Sequence, residues 1–260
     1  MPPAKAVMNP NTRIPEISGI IVVEHPSPFG QDEKEVSLAP HAGFFEVPFM
    51  ILTILSAVGS VAFAVSGALV AMEEDYDIFG ILVLGFITAF AGGMIRNLIV
   101  GLPVAAVWHQ TGSFLAALVA LGITLVIPGR WVKRGWKLMV YFDALGLSTF
   151  AVEGALYAER IHVSVGTVMV AAAMTGTGGG VIRDLLAQRK PMILRSDTYA
   201  IWTLLAGTVI GLRWVNPQVA WQVYAVLAGT FALRVLSILF NWRLPHVESP
   251  NADKAKTVDE

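Results

Sequence analysis

The sequence predicts an all-α, polytopic membrane protein with seven transmembrane helices, arranged as two inverted three-helix repeats followed by a C-terminal seventh helix. Three observations lead to this prediction. The 260 residues are 55% hydrophobic and only 14% charged, whereas soluble domains carry about 25% charged residues. Seven apolar runs approach the length of about 20 residues that a helix needs to cross a bilayer. Two pairs of short motifs also recur at one common offset.

The apolar runs predict helices rather than barrel strands. A helix satisfies its own backbone hydrogen bonds in lipid, and barrel strands would instead show segments of about ten alternating residues. The predicted helices cover residues 49–72, 79–100, 110–128, 138–158, 163–187, 198–215 and 218–240. The polar segments 1–46 and 245–260 are predicted to be disordered, and the first of them lacks the apolar core of a signal peptide.

The chain contains an internal duplication. FAVSGALVA at 63–71 aligns with FAVEGALYA at 150–158, and AGGMIRNLI at 91–99 aligns with GGGVIRDLL at 178–186, both at an offset of 87 residues. The repeats cover residues 47–128 and 138–215, and helix 218–240 is an addition. Since each unit holds three helices, the second unit must enter the membrane from the opposite side, which predicts an inverted repeat.

The basic residues of the loops predict the orientation. They cluster between helices three and four, after helix five and after helix seven, as Arg130, Lys133, Arg134, Lys137, Arg189, Lys190, Arg195, Arg243, Lys254 and Lys256. Because Lys and Arg are enriched in cytoplasmic loops, the N-terminus is predicted to lie outside and the C-terminus inside.

The glycine clusters lie at equivalent positions of the second and fifth helices. Gly92 and Gly93 form one cluster, and Gly178, Gly179 and Gly180 form the other. Glycine costs up to about 1 kcal/mol relative to alanine inside a helix. The clusters therefore predict bent or broken helices whose freed carbonyls line a wet path, or, as an alternative left open, close helix packing.

Charged side chains accompany these glycines. Arg96 and Arg183 are predicted either to anchor at the headgroups or to line a pore mouth. Asp184 is not expected to pair directly with Arg183, because adjacent helical residues do not share a face. Glu153, whose repeat equivalent is Ser66, is a candidate for attracting cations, with a hydrogen-bonded acid in a helix contact as the alternative.

Other functional classes find little support. Asp143, near the inner start of helix four, is expected to be solvated. The chain has no cysteine and a net charge of −1, so it predicts no thiolate metal site and no basic surface for nucleic acid. No catalytic residue pattern is present either. We therefore predict a protein that is not an enzyme and has no resident metal or cofactor.

The combined motifs resemble those of the prokaryotic trimeric intracellular cation (TRIC) channels, a family also labelled a bacterial glycine transporter domain. Each FAV-x-GA motif is followed by GG-x-I-R and then by a proline, Pro103 or Pro191, and the likeness covers roughly residues 50–240. The resemblance implies a homotrimer in the bacterial inner membrane, N-terminus outside. It also implies one pore per protomer, lined by glycine-kinked helices two and five and passing monovalent cations such as potassium.

The resemblance also assigns residues. The kink glycines correspond to Gly92, Gly93, Gly178, Gly179 and Gly180, the two arginines to Arg96 and Arg183, and the aspartate to Asp184. Ala91 and Asn97 depart from the family pattern of glycine and aspartate in the first copy.

The function expected from the sequence is a cation channel in the lipid bilayer. Two alternatives stay open: a secondary transporter for a small solute such as glycine, since inverted repeats are equally typical of transporters, and a non-conducting membrane scaffold in which the glycines only pack helices.

Overall fold

The computed structural model describes residues 48–126, 135–194 and 198–242, and within these ranges it contains seven α-helices, two short 3₁₀ turns and no strand. The helices are α1 (Phe49–Glu73), α2 (Ile78–Val100), α3 (Thr111–Leu125), α4 (Gly135–Arg160), α5 (Val165–Leu186), α6 (Ile201–Gly211) and α7 (Ala220–Leu239). The 3₁₀ turns are Val104–His109 and Met192–Leu194. Each predicted helix coincides with one of these helices. The predicted extensions 1–46 and 245–260 lie outside the described residues.

Five helices are long and apolar enough to cross a membrane, namely α1, α2, α4, α5 and α7. The other two, α3 with 15 residues and α6 with 11, are apolar but shorter. The sequence prediction of 198–215 for the sixth helix was too long. A turn at 198–200 precedes α6, and Arg213, with a left-handed φ of 57°, follows its end.

Two helices begin with side-chain caps at equivalent positions. The Asp77 carboxylate accepts a hydrogen bond of 2.7 Å from the Gly80 amide at the start of α2. The Ser164 hydroxyl accepts one of 3.3 Å from the Thr167 amide at the start of α5. Such caps satisfy amides that have no partner within the helix. Asp77 and Ser164 are also 87 residues apart, so the duplication includes the signals that start the helices.

Several contacts between helices of the first repeat recur between the equivalent helices of the second repeat. The longest contacts join α1 to α4, and α1 packs on α2 and α3 as α4 packs on α5 and α6. Large contacts also join α2 to α5 and α5 to α6, and the latter has only a small counterpart between α2 and α3. Helix α7 packs on α4 and α6. In the central part of α4, 78% of the residues are buried, against 22% in α7. The core therefore lies along α1 and α4, and α7 is peripheral.

Two phenylalanines at equivalent repeat positions, Phe63 and Phe150, make matching contacts between α1 and α4. A Cβ added to Gly59 would collide with the ring of Phe150, and one added to Gly146 would lie 2.8 Å from the ring of Phe63. The two ring centroids are 5.4 Å apart. Each ring thus fills the space that a glycine leaves on the partner helix, which allows α1 and α4 to approach closely.

One end of the bundle is held by ionic contacts. Arg189, after α5, donates to Glu73 at 2.9 Å and also hydrogen bonds with Glu74, both at the end of α1. The Tyr76 hydroxyl donates to the Leu186 carbonyl at 3.2 Å. Burial by itself lowers the pKa of Arg189. The hydrogen bonds to Glu74 and Glu73 and the charges of these carboxylates have a larger, opposite effect, so the net pKa lies above its usual value. Arg189 therefore stays charged over the physiological pH range.

Candidate functional site

The first arginine network is built around Arg96, near the end of α2, and comprises Arg96, Asn97, Glu153 and Ser56. Arg96 is only 2% exposed and donates to Glu153 on α4. The Ser56 hydroxyl on α1 donates to the same carboxylate oxygen. Arg96 also donates from Nε and Nη2 to the Asn97 side-chain oxygen, at 3.0 and 2.9 Å. The Glu153 carboxylate thereby links α1, α2 and α4.

Two further contacts fix the orientation of these groups. The Asn97 side-chain amide donates to the Pro103 carbonyl at 3.1 Å, which ties the network to the segment after α2. The Arg96 guanidinium carbon lies 4.1 Å from the ring centroid of Tyr157 on α4, within cation–π range. Arg96 is therefore held on several sides and does not extend freely to the headgroups.

The second arginine network is built around Arg183, near the end of α5, and comprises Arg183, Asp143, Ser66 and Asp184. Arg183 is fully buried, and its Nη1 donates to Asp143 on α4 at 2.6 Å and to Ser66 on α1 at 2.5 Å. Its Nε donates to Asp184 at 2.8 Å. The other Asp184 oxygen accepts a bond of 2.9 Å from the Met192 amide.

Two expectations from the sequence are wrong at this network. Asp184 does pair directly with Arg183, because the long arginine stem folds back along α5 while Met192 holds the aspartate. Asp143 is not solvated but fully buried, because an ion pair with Arg183 compensates its charge. At the offset of 87, Asp143 is the repeat equivalent of Ser56.

The two networks correspond residue by residue. At the offset of 87, the equivalent positions are Arg96 with Arg183, Asn97 with Asp184, Ser56 with Asp143, and Ser66 with Glu153. Each arginine contacts the side chain at the 66/153 position, and the 56/143 position completes each network. The carboxylate, however, stands at Glu153 in the first network and at Asp143 in the second. Both acids lie on α4, so the acid occupies a different repeat position in each network while the helix that carries it stays the same.

Removing either member of a buried ion pair of this kind destabilises the protein. Removing one partner leaves an uncompensated charge and typically costs about 3–5 kcal/mol. Within the described residues, one oxygen of Glu153 and one of Asp143 are buried without a hydrogen-bond partner. Both carboxylates therefore retain unused acceptor capacity beside an arginine, where a cation or a water molecule could be bound.

The sequence reasoning missed a third buried arginine, which lies on α7. Arg234 is 2% exposed, and its guanidinium carbon lies 4.7 Å from the ring centroid of Tyr199. The Tyr199 hydroxyl and an Asp143 oxygen lie 2.7 and 3.1 Å from the position that a Cβ on Gly180 would take. An arginine inside an apolar 20-residue helix was the available signal. Through Arg234, helix α7 extends the second arginine network, although α7 lies outside the repeat.

The glycine clusters lie where α2 and α5 meet, in uninterrupted α-helix. A Cβ on Gly92 would lie 2.7 Å from the Thr175 carbonyl oxygen, and one on Gly179 would lie 2.7 Å from the Thr88 carbonyl oxygen. A Cβ on Gly178 would collide with Ile95, whereas Gly93 has more space around it. The expectation of broken helices is therefore wrong, while a bend at the glycines stays a prediction. Gly92 and Gly179 let the backbones of α2 and α5 approach each other.

A cavity of about 500 Å³ opens beside the first arginine network. Arg96 and Asn97 border it, together with residues of α1 and the segment from Leu102 to Ser113. This cavity, called the vestibule below, brings the first network into contact with space outside the protein core. The sequence predicted a pore mouth as one of two positions for Arg96, but not the other walls of this cavity, because they come from segments far apart in the chain.

A family model described as Glycine transporter matches residues 53–128 and 140–214 of the chain. The UPF0126 membrane protein YvgT of Bacillus subtilis (strain 168) is 46% identical over 197 residues, which are 76% of this chain and 96% of that protein. The UPF0126 inner membrane protein YadS of Escherichia coli (strain K12) is 34% identical over 202 residues, covering 75% and 96% of the two chains. These two names describe a location and no activity.

The fold is also similar to that of a protein whose function is named. The crystal structure of a prokaryotic TRIC channel in 0.5 M KCl superposes with a TM-score of 0.66 at 33% sequence identity. The superposition covers 75% of this chain and 100% of that one. The matched part of this chain therefore corresponds to the whole of the solved channel.

Proposed function

The chain belongs to the family of prokaryotic TRIC channels and glycine transporter domains, and we propose that it is itself a cation channel. The observation that carries this proposal is the likeness to a solved TRIC channel over that protein's full length, at 33% identity. The buried arginine networks are the features of this chain that a conduction path would use.

We infer that the two three-helix units form an inverted repeat, with α7 added after it. The reciprocal contacts of Gly59 with Phe150 and of Gly146 with Phe63 support this arrangement. So does the correspondence between the two arginine networks. An odd number of helices per unit then relates the halves by a two-fold axis in the membrane plane.

We propose that the conduction path runs between the repeats, along the glycine-rich faces of α2 and α5. Each end of this path carries an arginine whose charge is compensated, by Glu153 at one end and by Asp143 and Asp184 at the other. The unpartnered oxygens of Glu153 and Asp143 supply the negative potential that favours a monovalent cation such as potassium.

The proposed assembly is a homotrimer in the bacterial inner membrane, with one path in each protomer. The N-terminus is placed outside and the C-terminus inside, because the basic loops then face the cytoplasm. In this orientation the vestibule and the first arginine network lie toward the outer surface, and the contact of Arg189 with Glu73 and Glu74 lies at the inner surface.

A planar-bilayer recording of the purified protein under a potassium chloride gradient tests the proposal. Discrete openings that reverse near the potassium equilibrium potential are expected. A silent bilayer, with the protein shown to be inserted and folded, would contradict it.

A variant links such a current to the proposed path. The Tyr199 side chain fills the space beside Asp143 and Arg183, so Tyr199→Ala is expected to increase the single-channel current severalfold. Tyr141→Ala, on the 37% exposed Tyr141 of α4, is the matched control and should leave the current as it is. Equal currents from Tyr199→Ala and Tyr141→Ala would mean that Tyr199 does not line the conduction path.

A secondary transporter for glycine is the second candidate, because the matching family model carries that description. Uptake of radiolabelled glycine into vesicles distinguishes the two functions. Saturable uptake with low turnover and no discrete current would favour the transporter, whereas discrete current without glycine uptake favours the channel.

A further inference from the structure

The first turn of α3 leaves three backbone amides without an acceptor. The first hydrogen bond of the α-helical type joins the Phe114 amide to the Gln110 carbonyl at 3.0 Å. The amides of Thr111, Gly112 and Ser113 precede it, and the Gln110 side chain does not cap the helix. Within the described residues, no hydrogen bond accounts for these three donors. They carry the partial positive charge of a helix N-terminus.

The three residues that carry these amides border the vestibule. Thr111, Gly112 and Ser113 all border the cavity of about 500 Å³, which Arg96 also borders. Ser113 is 2% exposed, and its hydroxyl has no hydrogen-bond partner in the part of the chain that the structure describes. A buried hydroxyl and three amides are thus gathered around one space, beside a guanidinium that already donates to Glu153 and Asn97.

We propose that the vestibule binds a small organic carboxylate, held by the first turn of α3 and by Ser113 with Arg96 nearby. A helix N-terminus with free amides favours an anion. The two oxygens of a carboxylate accept from an amide and a hydroxyl at once. Apolar residues including Phe49, Leu52, Leu102 and Ala106 also border the cavity, and they suit a short carbon substituent.

The charge of the surroundings selects a monovalent anion. Arg96 already shares its charge with the buried Glu153, so a divalent phosphate would leave excess negative charge beside that carboxylate. Chloride has the right charge, but it offers no carbon body to the apolar wall. Burying the two additional methylenes of butyrate makes it bind roughly tenfold more tightly than acetate.

Thermal unfolding of the purified full-length protein in sodium butyrate tests this site, with sodium chloride at equal concentration as the reference. Gln110→Asp places a carboxylate at the cap position of α3, where it accepts from the same amides. It is expected to raise Tm without added acid and to abolish the response to butyrate. Gln218→Asp makes the same substitution at an exposed residue before α7 and should respond as the unmodified protein does. Ser113→Ala, with a smaller change in structure, should weaken the response severalfold.

The expected result is a saturable rise in Tm with butyrate that exceeds the rise with acetate and with chloride. It should persist in Gln218→Asp and disappear in Gln110→Asp. An equal rise in Gln110→Asp would overturn the proposal, and so would equal effects of butyrate and chloride. Because this test requires no ion current, its failure would leave the proposed channel function unaffected.

Discussion

A buried arginine in an apolar bundle needs a partner, since even insertion scales assign it a cost of about 2.5–3.5 kcal/mol at the centre of a membrane helix. Arg96 and Arg183 each find a carboxylate on α4 and a serine or a second acid nearby. Each arginine therefore joins helices of both repeats. The two networks are expected to hold the bundle together as well as to supply charge.

Glu153→Gln tests the first network. The substitution keeps the shape of the side chain but leaves the buried Arg96 without its counter-charge, so a loss of about 3 kcal/mol in the free energy of unfolding is expected. Thermal or denaturant unfolding in detergent would measure it. Glu74→Gln removes a carboxylate from an exposed ion pair with Arg189 and should cost less than about 1 kcal/mol.

The same variant examines the electrical role of Glu153. If this carboxylate attracts cations at the path, Glu153→Gln lowers the single-channel potassium current. An unchanged current would restrict Glu153 to holding Arg96.

The correspondence between the networks predicts a rescue. Glu153→Ser alone should destabilise the protein, whereas adding Ser56→Asp recreates in the first network the arrangement of Asp143 with Ser66. The double variant is expected to recover about 1–3 kcal/mol relative to the sum of the single changes. A double-mutant cycle of unfolding free energies measures this coupling, and strict additivity would mean that the two positions do not share Arg96.

At the scale of the helices, Gly92 and Gly179 set how closely α2 and α5 can approach each other. The carbonyls of Thr88 and Thr175 lie opposite Gly179 and Gly92, where a Cβ would come within 2.7 Å. Because these obstacles are backbone atoms, they cannot move aside as a flexible side chain could. Close packing of α2 against α5 therefore depends on glycine at these positions.

Gly179→Ala should separate α2 from α5 and destabilise the protein by about 1–3 kcal/mol. Gly122→Ala on α3 is the matched control, because a Cβ there meets nothing within 4 Å. Alanine at that position should stabilise the helix by up to about 1 kcal/mol. The comparison needs only unfolding measurements on the two variants. If Gly179→Ala retained full stability but changed the current, the glycine would act as a kink rather than as a packing contact.

At the scale of the whole molecule, the two ends are not equivalent. At the offset of 87, the position of Gly112 beside the vestibule is taken by Tyr199, which is 1% exposed. Arg234 of α7 covers the face of that ring. The position that borders the vestibule in the first network is therefore filled by a tyrosine ring in the second, and a helix outside the duplication covers that ring.

Removal of residues 1–46 is expected to leave the unfolding temperature and any current unchanged. All the helices and ion pairs described here lie within 48–242, and the relative from Bacillus subtilis aligns over 96% of its own length with only 76% of this chain. Unfolding and bilayer recordings of the shortened chain provide the measurement. A large loss of stability would assign the segment a structural role.

Much of the site could be located from the sequence, but its pairing could not. Arg96, Arg183, Asp184, Glu153 and Ser66 were all identified from repeat position and apolar context. Yet Asp184 was wrongly separated from Arg183, because spacing along a helix ignores how far an arginine stem can fold back. Asp143 was wrongly expected to be solvated and Arg234 was missed, since each stands as a single charge whose partners come from other helices.

The sequence by itself determined the class of protein, the seven helical segments and the duplication. These follow from local chemistry: apolar length sets a span, backbone hydrogen bonding in lipid demands helices, and an odd unit size implies inversion. Only the tertiary structure decided that α2 and α5 stay unbroken, which carboxylate faces which arginine, and that a cavity opens at the start of α3. Those outcomes depend on side chains from distant segments meeting in one place, and their free energy comes from compensating charge and filling space between helices.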